Sequence, residues 1–248
     1  MARLGIIDWG IGGISIYKLV RERLGEVPVT YFSDTGATPY GKMSRRELVA
    51  RLNAVIGYMK SRGVTHLVIG CNAASTAIPY LDPQGLIVEG VIDAAVDLAA
   101  KIKPSRLGLI GGRRTVVSGV YRTALADRGI DIEQRIAQPL SALIESGDTG
   151  SETLRTEAKR ILGPIRHCSH IMMACTHYPA IAPLLQELVS SSTELIDPAP
   201  ELLMRIRRWD LSASGADEFY TSGDAKGMKL SAARAFAVKI DDIRPALK

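Results

Sequence analysis

His66-Leu67-Val68-Ile69-Gly70-Cys71-Asn72 is a short run of apolar, mostly branched residues that ends in a glycine, a thiol and an amide. A run of that length and composition reads as a strand of a parallel sheet, buried on both faces. The small residues Ala73, Ala74 and Ser75 then open a helix, which leaves Cys71 at the carboxyl end of the strand, where open α/β sheets place their ligands. The design recurs in His170-Ile171-Met172-Met173-Ala174-Cys175-Thr176, with both the leading histidine and the cysteine 104 residues further on.

A second echo supports the first. Leu107-Gly108-Leu109-Ile110 restates Leu4-Gly5-Ile6-Ile7 at a spacing of 103 residues, and Ser118 follows Ser15 at the same spacing. Strands and helices alternate between these landmarks. Apolar spacing predicts a helix over 14–24, and Val29–Phe32 is a strand. A capping box of Ser44 and Glu47 opens a helix to Ser61. Residues 86–92 and 130–136 are strands, 93–101 and 153–162 helices, Tyr121 opens another helix, and 143–147 leads into a loop. The expected fold is α/β, with two pseudo-symmetric lobes built on mainly parallel sheets. Residues 1–93 with 206–248 form the first lobe and 94–205 the second. The tail (219–223 and 231–238) packs back onto the first lobe, and each lobe brings one cysteine to the cleft between them. The polar loop 33–41, ending in Pro39-Tyr40-Gly41, is a candidate binding loop.

Composition narrows the class. The 248 residues carry a formal charge of +5, from arginines scattered along the chain (Arg21, Arg45, Arg113 and Arg205 among them) rather than from one basic run. That pattern reads as a solvated surface, with a nucleic-acid surface as the alternative. Three cysteines are an odd number and too few for a disulfide framework, which points to reduced thiols and a cytoplasmic protein. No uncharged run reaches the roughly 18 residues of a membrane span, and no signal peptide precedes the first strand.

Two thiols on opposite sides of one carbon can racemise it. One removes the α-proton from one face and the other returns a proton to the opposite face, which requires matched acidities and no cofactor. Asp8, at the end of the first strand, and His177, two residues past Cys175, are placed to tune them. Cys168 has no counterpart and reads as structural. His167, Cys168, His170, Cys175 and His177 do not read as a metal cluster, because seven residues of strand between the cysteines span roughly 23 Å. The glycine-rich turn Asp8-Trp9-Gly10-Ile11-Gly12-Gly13 departs from the dinucleotide fingerprint, with Asp34 only loosely placed as a ribose partner. Leu109–Thr115 lacks the ending of a P-loop. No metal and no cofactor are expected.

Taken together, Asp8-x-Gly10-Ile11-Gly12-Gly13, Pro39-Tyr40-Gly41, Cys71-Asn72-x-Ala74-Ser75, Gly90-Val91-Ile92 and Cys175-Thr176-His177-Tyr178-Pro179 resemble the glutamate racemases of the aspartate/glutamate racemase superfamily. The resemblance runs from about residue 4 to Thr221-Ser222-Gly223. It implies a cofactor-independent isomerase, usually a homodimer, that supplies D-glutamate for peptidoglycan. Cys71 would handle the D-face proton and Cys175 the L-face proton, with Asp8, His177 and Glu145 assisting. Tyr40, Gly41 (with Pro39), Asn72, Ser75 and Thr176 would hold the amino-acid substrate. Two positions depart from the pattern: Trp9 stands where the family has Ser, and Ala73 where it has Thr. Each lost hydrogen bond to a charged substrate is worth roughly 1.5–3 kcal/mol. One reading turns Trp9 away under the turn and lets water replace the hydroxyl at position 73; otherwise three alternatives remain: a shifted substrate, weak activity, or a regulatory binder on the same scaffold. Some members also restrain DNA gyrase; no motif here encodes a gyrase or nucleic-acid partner.

Overall fold

The computed structural model describes residues 2–25 and 27–247. In chain order the first part runs β1 (Leu4–Asp8), α1 (Ile14–Leu24), β2 (Val29–Ser33), α2 (Arg45–Ser61), β3 (His66–Ile69), α3 (Asn72–Ser75) and β4 (Ile87–Gly90). Next come α4 (Val91–Ile102), β5 (Leu107–Gly111), α5 (Arg113–Val117), α6 (Val120–Ala126), β6 (Ile132–Ile136), α7 (Gln138–Glu145), α8 (Glu152–Leu162), β7 (His170–Ala174), α9 (Ala182–Glu187) and β8 (Glu194–Ile196). The chain closes with α10 (Ala199–Ile206), β9 (Glu218–Thr221), α11 (Ala225–Phe236) and β10 (Arg244–Pro245).

The strands form two wholly parallel sheets, ordered β10-β9-β2-β1-β3-β4 and β6-β5-β7-β8. The order β2-β1-β3-β4 is repeated by β6-β5-β7-β8. The register repeats too, since Leu4 pairs with Val29 and His66 while Leu107 pairs with Ile132 and His170. The expected two-lobe α/β fold is therefore present, and the sequence echo is an echo of hydrogen-bond register. The leading histidines mark that register at the strand ends far from the cysteines. There His66 packs against Trp209 and His170 faces Glu194.

Alternate residues of each central strand feed different cores, as burial on both faces demands. Leu67 and Ile69 join an apolar cluster on the outside of the first sheet, and Ile171 and Met173 join one outside the second. Val68 and Met172 meet in a single cluster between the sheets, which also takes in Leu4, Tyr31, Leu109 and residues of α4 and α10. The lobes thus share a core beneath the cleft.

Local signals explain most boundaries. The Ser44 hydroxyl accepts the Glu47 N–H at 3.3 Å and the Glu47 carboxylate accepts the Ser44 N–H at 2.7 Å, so α2 starts with both halves of its capping box. Three expectations shift. Helix α4 begins at Val91 rather than Asp93, directly on the extended Gly90. The helix expected to open at Tyr121 is α6, which starts one residue earlier at Val120 on Gly119, left-handed at φ +73°, and a short unforeseen helix, α5, precedes it. The approach to Glu145 is helix α7, its first turn preset by Pro139. In the tail, β9 pairs with β2 on the first sheet, while α11 packs on α1 and also on α7, touching both halves.

One buried carboxylate, weighed in the sequence only as a ribose partner, organises the loop after β2. Asp34 is fully buried and accepts Arg51 Nε at 2.9 Å and Nη2 at 2.5 Å, the Tyr40 hydroxyl at 2.7 Å and the Ser222 hydroxyl at 2.7 Å. Asp34→Ala strips that guanidinium of its carboxylate, leaving it the Leu247 carbonyl, and leaves the Tyr40 and Ser222 protons without an acceptor. It is expected to lower stability by about 3 kcal/mol, read as a fall in the urea midpoint.

Candidate active site

Because the sheets are parallel, the carboxyl ends of β1, β3, β5 and β7 face one cleft. Asp8 closes β1. Cys71 follows β3 by one glycine and caps α3 with extended backbone (φ −96°, ψ 124°). The nearby backbone N–H groups of Ala74 and Trp9 favour thiolate. Burial and the neighbouring Asp8 carboxylate outweigh them and push the Cys71 thiol well above its ordinary range.

The second lobe brings a connected set. His177 Nδ1 lies 3.6 Å from Cys175 Sγ, and His177 Nε2–H donates to Glu145 Oε2 at 2.6 Å. Burial alone would push this imidazole down, but Cys175 on one side and Glu145 on the other hold it well above its usual value, which favours the imidazolium. Tyr178, buried beside Cys175, donates its hydroxyl to the Ala137 carbonyl at 3.0 Å.

Two contacts at the carboxyl end of β1 and the turn after it tie the lobes together there. The Thr176 hydroxyl donates to Asp8 Oδ2 at 2.8 Å, and the Ile11 N–H donates to Glu145 Oε2 at 2.9 Å. Burial pushes the Asp8 carboxyl up, opposed by His177 and the Thr176 hydrogen bond. These crossings give the glycine-rich turn its reason. A Cβ at Gly10 would sit 2.1 Å from Glu145 Oε2, and one at Gly12 would sit 2.5 Å from Thr176 Oγ1. The turn is glycine so that the second lobe can close on it, not to cradle a phosphate. Tyr31 props it from beneath, donating its hydroxyl to the Gly10 carbonyl at 2.8 Å.

Asp8, Cys71, Glu145, Cys175, Thr176 and His177 thus come together. The other sequence candidates divide. Asn72 is buried and accepts the Tyr121 hydroxyl at 2.6 Å, which orients its amide. Ser75 is buried and spends its hydroxyl on the chain, donating to the Ile69 carbonyl at 3.1 Å and accepting the Val91 N–H at 3.4 Å. Tyr40 gives its hydroxyl to Asp34, so Pro39-Tyr40-Gly41 can offer the cleft backbone rather than phenol. Trp9 packs on the outer core of the first lobe, which also receives Cys71 and Ala73, and donates its indole N–H to the Ala37 carbonyl at 3.1 Å. Ala73 is half-buried, its carbonyl accepting the Thr76 hydroxyl at 2.7 Å. Tyr31, Asp34, Tyr121 and Tyr178 were missed by sequence reasoning. Only Tyr178, inside the Cys-Thr-His-Tyr motif, carried a local signal.

Residues 4–206 match the family described as Asp/Glu/hydantoin racemase, and the chain belongs to that family. A glutamate racemase of Synechococcus sp. (strain CC9605) is 35% identical over 202 residues, covering 79% of this chain and 75% of that protein. One of Pseudomonas paraeruginosa (strain PA7) is 32% identical over 237 residues, 89% of each. The crystal structure of glutamate racemase from Francisella tularensis in complex with D-glutamate superposes with a TM-score of 0.86, covering 100% of this chain and 97% of that one at 21% identity. Among the described residues, no helix is long and apolar enough to cross a membrane.

Proposed function

We propose that this chain interconverts L- and D-glutamate by a cofactor-independent, two-base proton transfer, supplying D-glutamate for peptidoglycan as a cytoplasmic homodimer. The observation that carries the reading is the matched pair of thiols. Each follows the equivalent strand, β3 or β7, of two sheets with the same order and register, and each has its own acid–base neighbours. The glutamate racemases of Synechococcus and Pseudomonas support the substrate.

From L-glutamate, the Cys175 thiolate takes the α-proton and the Cys71 thiol delivers its own proton to the opposite face, leaving Cys175 as thiol and Cys71 as thiolate. The reverse reaction exchanges the roles. Protonated His177 donates to Cys175, and Glu145 fixes the ring. Asp8, next to Cys71 and held by Thr176, receives or returns the proton that resets the pair. The Asn72 amide and the Pro39–Gly41 backbone supply neutral hydrogen bonds to the substrate's carboxylates and ammonium, and the Thr176 oxygen, its proton given to Asp8, is left as an acceptor for the ammonium.

The test is turnover of L-glutamate in D2O. A thiol delivers a solvent-derived deuteron to the product face, so D-glutamate carries deuterium at Cα from the earliest times while remaining L-glutamate keeps its proton. No exchange with glutamate overturns the reading. Exchange with another amino acid instead assigns the shifted substrate that Trp9 and Ala73 allow.

A pH profile tests the tuning of Cys71. The active form holds one proton on the thiol pair, and the equilibrium constant between mirror images is unity, so kcat/KM is the same from either enantiomer at every pH. A Cys71 thiol held above the ordinary value of about 8.5 keeps that proton, and the alkaline fall is expected only above about pH 9. A decline beginning near pH 8 contradicts this.

A further inference from the structure

A second group of reactive side chains lies away from the cleft, on the second sheet. Glu133 stands on β6, paired in register with Gly108 of β5. Gly108 has no side chain, and Cys168 Sγ packs into the space left together with Ile171 and Ile165, 3.3 Å from where a Cβ would stand. His167 and Cys168 form the turn that enters β7. Glu133 Oε1 lies 3.0 Å from His167 Nε2 and 4.0 Å from Cys168 Sγ, and the three donor atoms lie within 4.8 Å of one another. Cys168 is buried, while Glu133 and His167 are exposed, so the point where the three converge opens to solvent on one side.

A tetrahedral ion with bonds of about 2.0–2.3 Å needs donors roughly 3.3–3.8 Å apart. The present spacings straddle that range, and two of the three side chains are free to adjust. Sulfur and imidazole together select borderline-soft ions over Mg2+ and Ca2+. A thiolate and a carboxylate also neutralise a divalent charge. We infer that Glu133, His167 and Cys168 form a binding site for a zinc-class divalent cation, with water as fourth ligand, that staples edge strand β6 to the turn before β7. Residue spacing could not reveal it, because Glu133 lies 34 residues before His167 on a different strand. The site is structural and takes no part in proton transfer.

The test uses the full chain, dialysed against chelator and titrated with Co2+ as the probe, in wild type, in the Cys71→Ser/Cys175→Ser double variant, and in Cys168→Ser. The expected result is one equivalent bound with a near-ultraviolet thiolate-to-cobalt band, reversed by Zn2+. The band persists in the double variant and is lost in Cys168→Ser. His167→Gln and Glu133→Gln, at exposed positions, weaken Co2+ binding about tenfold or more and carry the test should Cys168→Ser fail to fold. Absence of the band in wild type overturns the proposal. So does a band that survives Cys168→Ser, or one that vanishes with the two cleft thiols.

Discussion

Cys71→Ser and Cys175→Ser each lower kcat/KM for glutamate by about 10^3-fold or more, and equally from both enantiomers. A positioned acid or base contributes some 10^2–10^4-fold, and a serine hydroxyl is far too weak an acid to stand in for either thiol near neutral pH. Each thiol is base in one direction and acid in the other, so neither direction survives the loss of one. A one-base mechanism, in which a single group swings between faces, would leave one of the two cysteines dispensable. The measurement is steady-state racemisation of L- and D-glutamate by circular dichroism, with melting temperature as the control for folding. Cys168→Ser, outside the cleft, keeps its turnover. Loss confined to one cleft cysteine overturns the two-base reading.

What the sequence revealed and what it concealed divide along physical lines. The β1, β3, β5 and β7 strands were legible because burial on both faces demands continuous apolar runs, and their repetition at 103 to 104 residues fixed the symmetry. Helix α2 was legible because its capping box is local, Ser44 and Glu47 being three residues apart. The site's wiring is not local. Thr176 reaches Asp8 across 168 residues and Glu145 meets Ile11 across 134, distances over which no residue pattern carries information. The same limit hid the use of hydroxyls. Tyr40 and Ser75 look like substrate donors in the chain, but their protons go to Asp34 and to the Ile69 carbonyl. Trp9 is the converse case. As a replacement for serine it stood as a lost hydrogen bond to substrate, and the structure commits its indole N–H to Ala37 and its ring to the first-lobe core.

The glycine-rich turn yields the second large effect. Gly12→Ala is expected to lower kcat/KM about 10^2-fold with a stability cost of only about 1–3 kcal/mol. The backbone at Gly12 is not left-handed, so alanine is tolerated by conformation and the effect is purely one of space. Its Cβ would stand 2.5 Å from Thr176 Oγ1 and 2.6 Å from His177 Nδ1, both on short side chains rooted in the turn that carries Cys175. Neither can move away without shifting that turn, and a displacement of about 1 Å between two thiols that share one α-carbon is enough to misalign proton transfer. Gly10→Ala meets a different neighbour, the tip of the Glu145 carboxylate, 2.1 Å away at the end of a flexible chain that can swing aside. That swing loosens the fixing of His177 but spares the thiol spacing, so a smaller loss is expected. Gly163→Ala, with nothing within 4 Å of the new methyl, sets the baseline at unchanged activity. The predicted ranking is Gly12, then Gly10, then Gly163. An inert Gly12→Ala would mean that the lobes do not close on this turn during turnover.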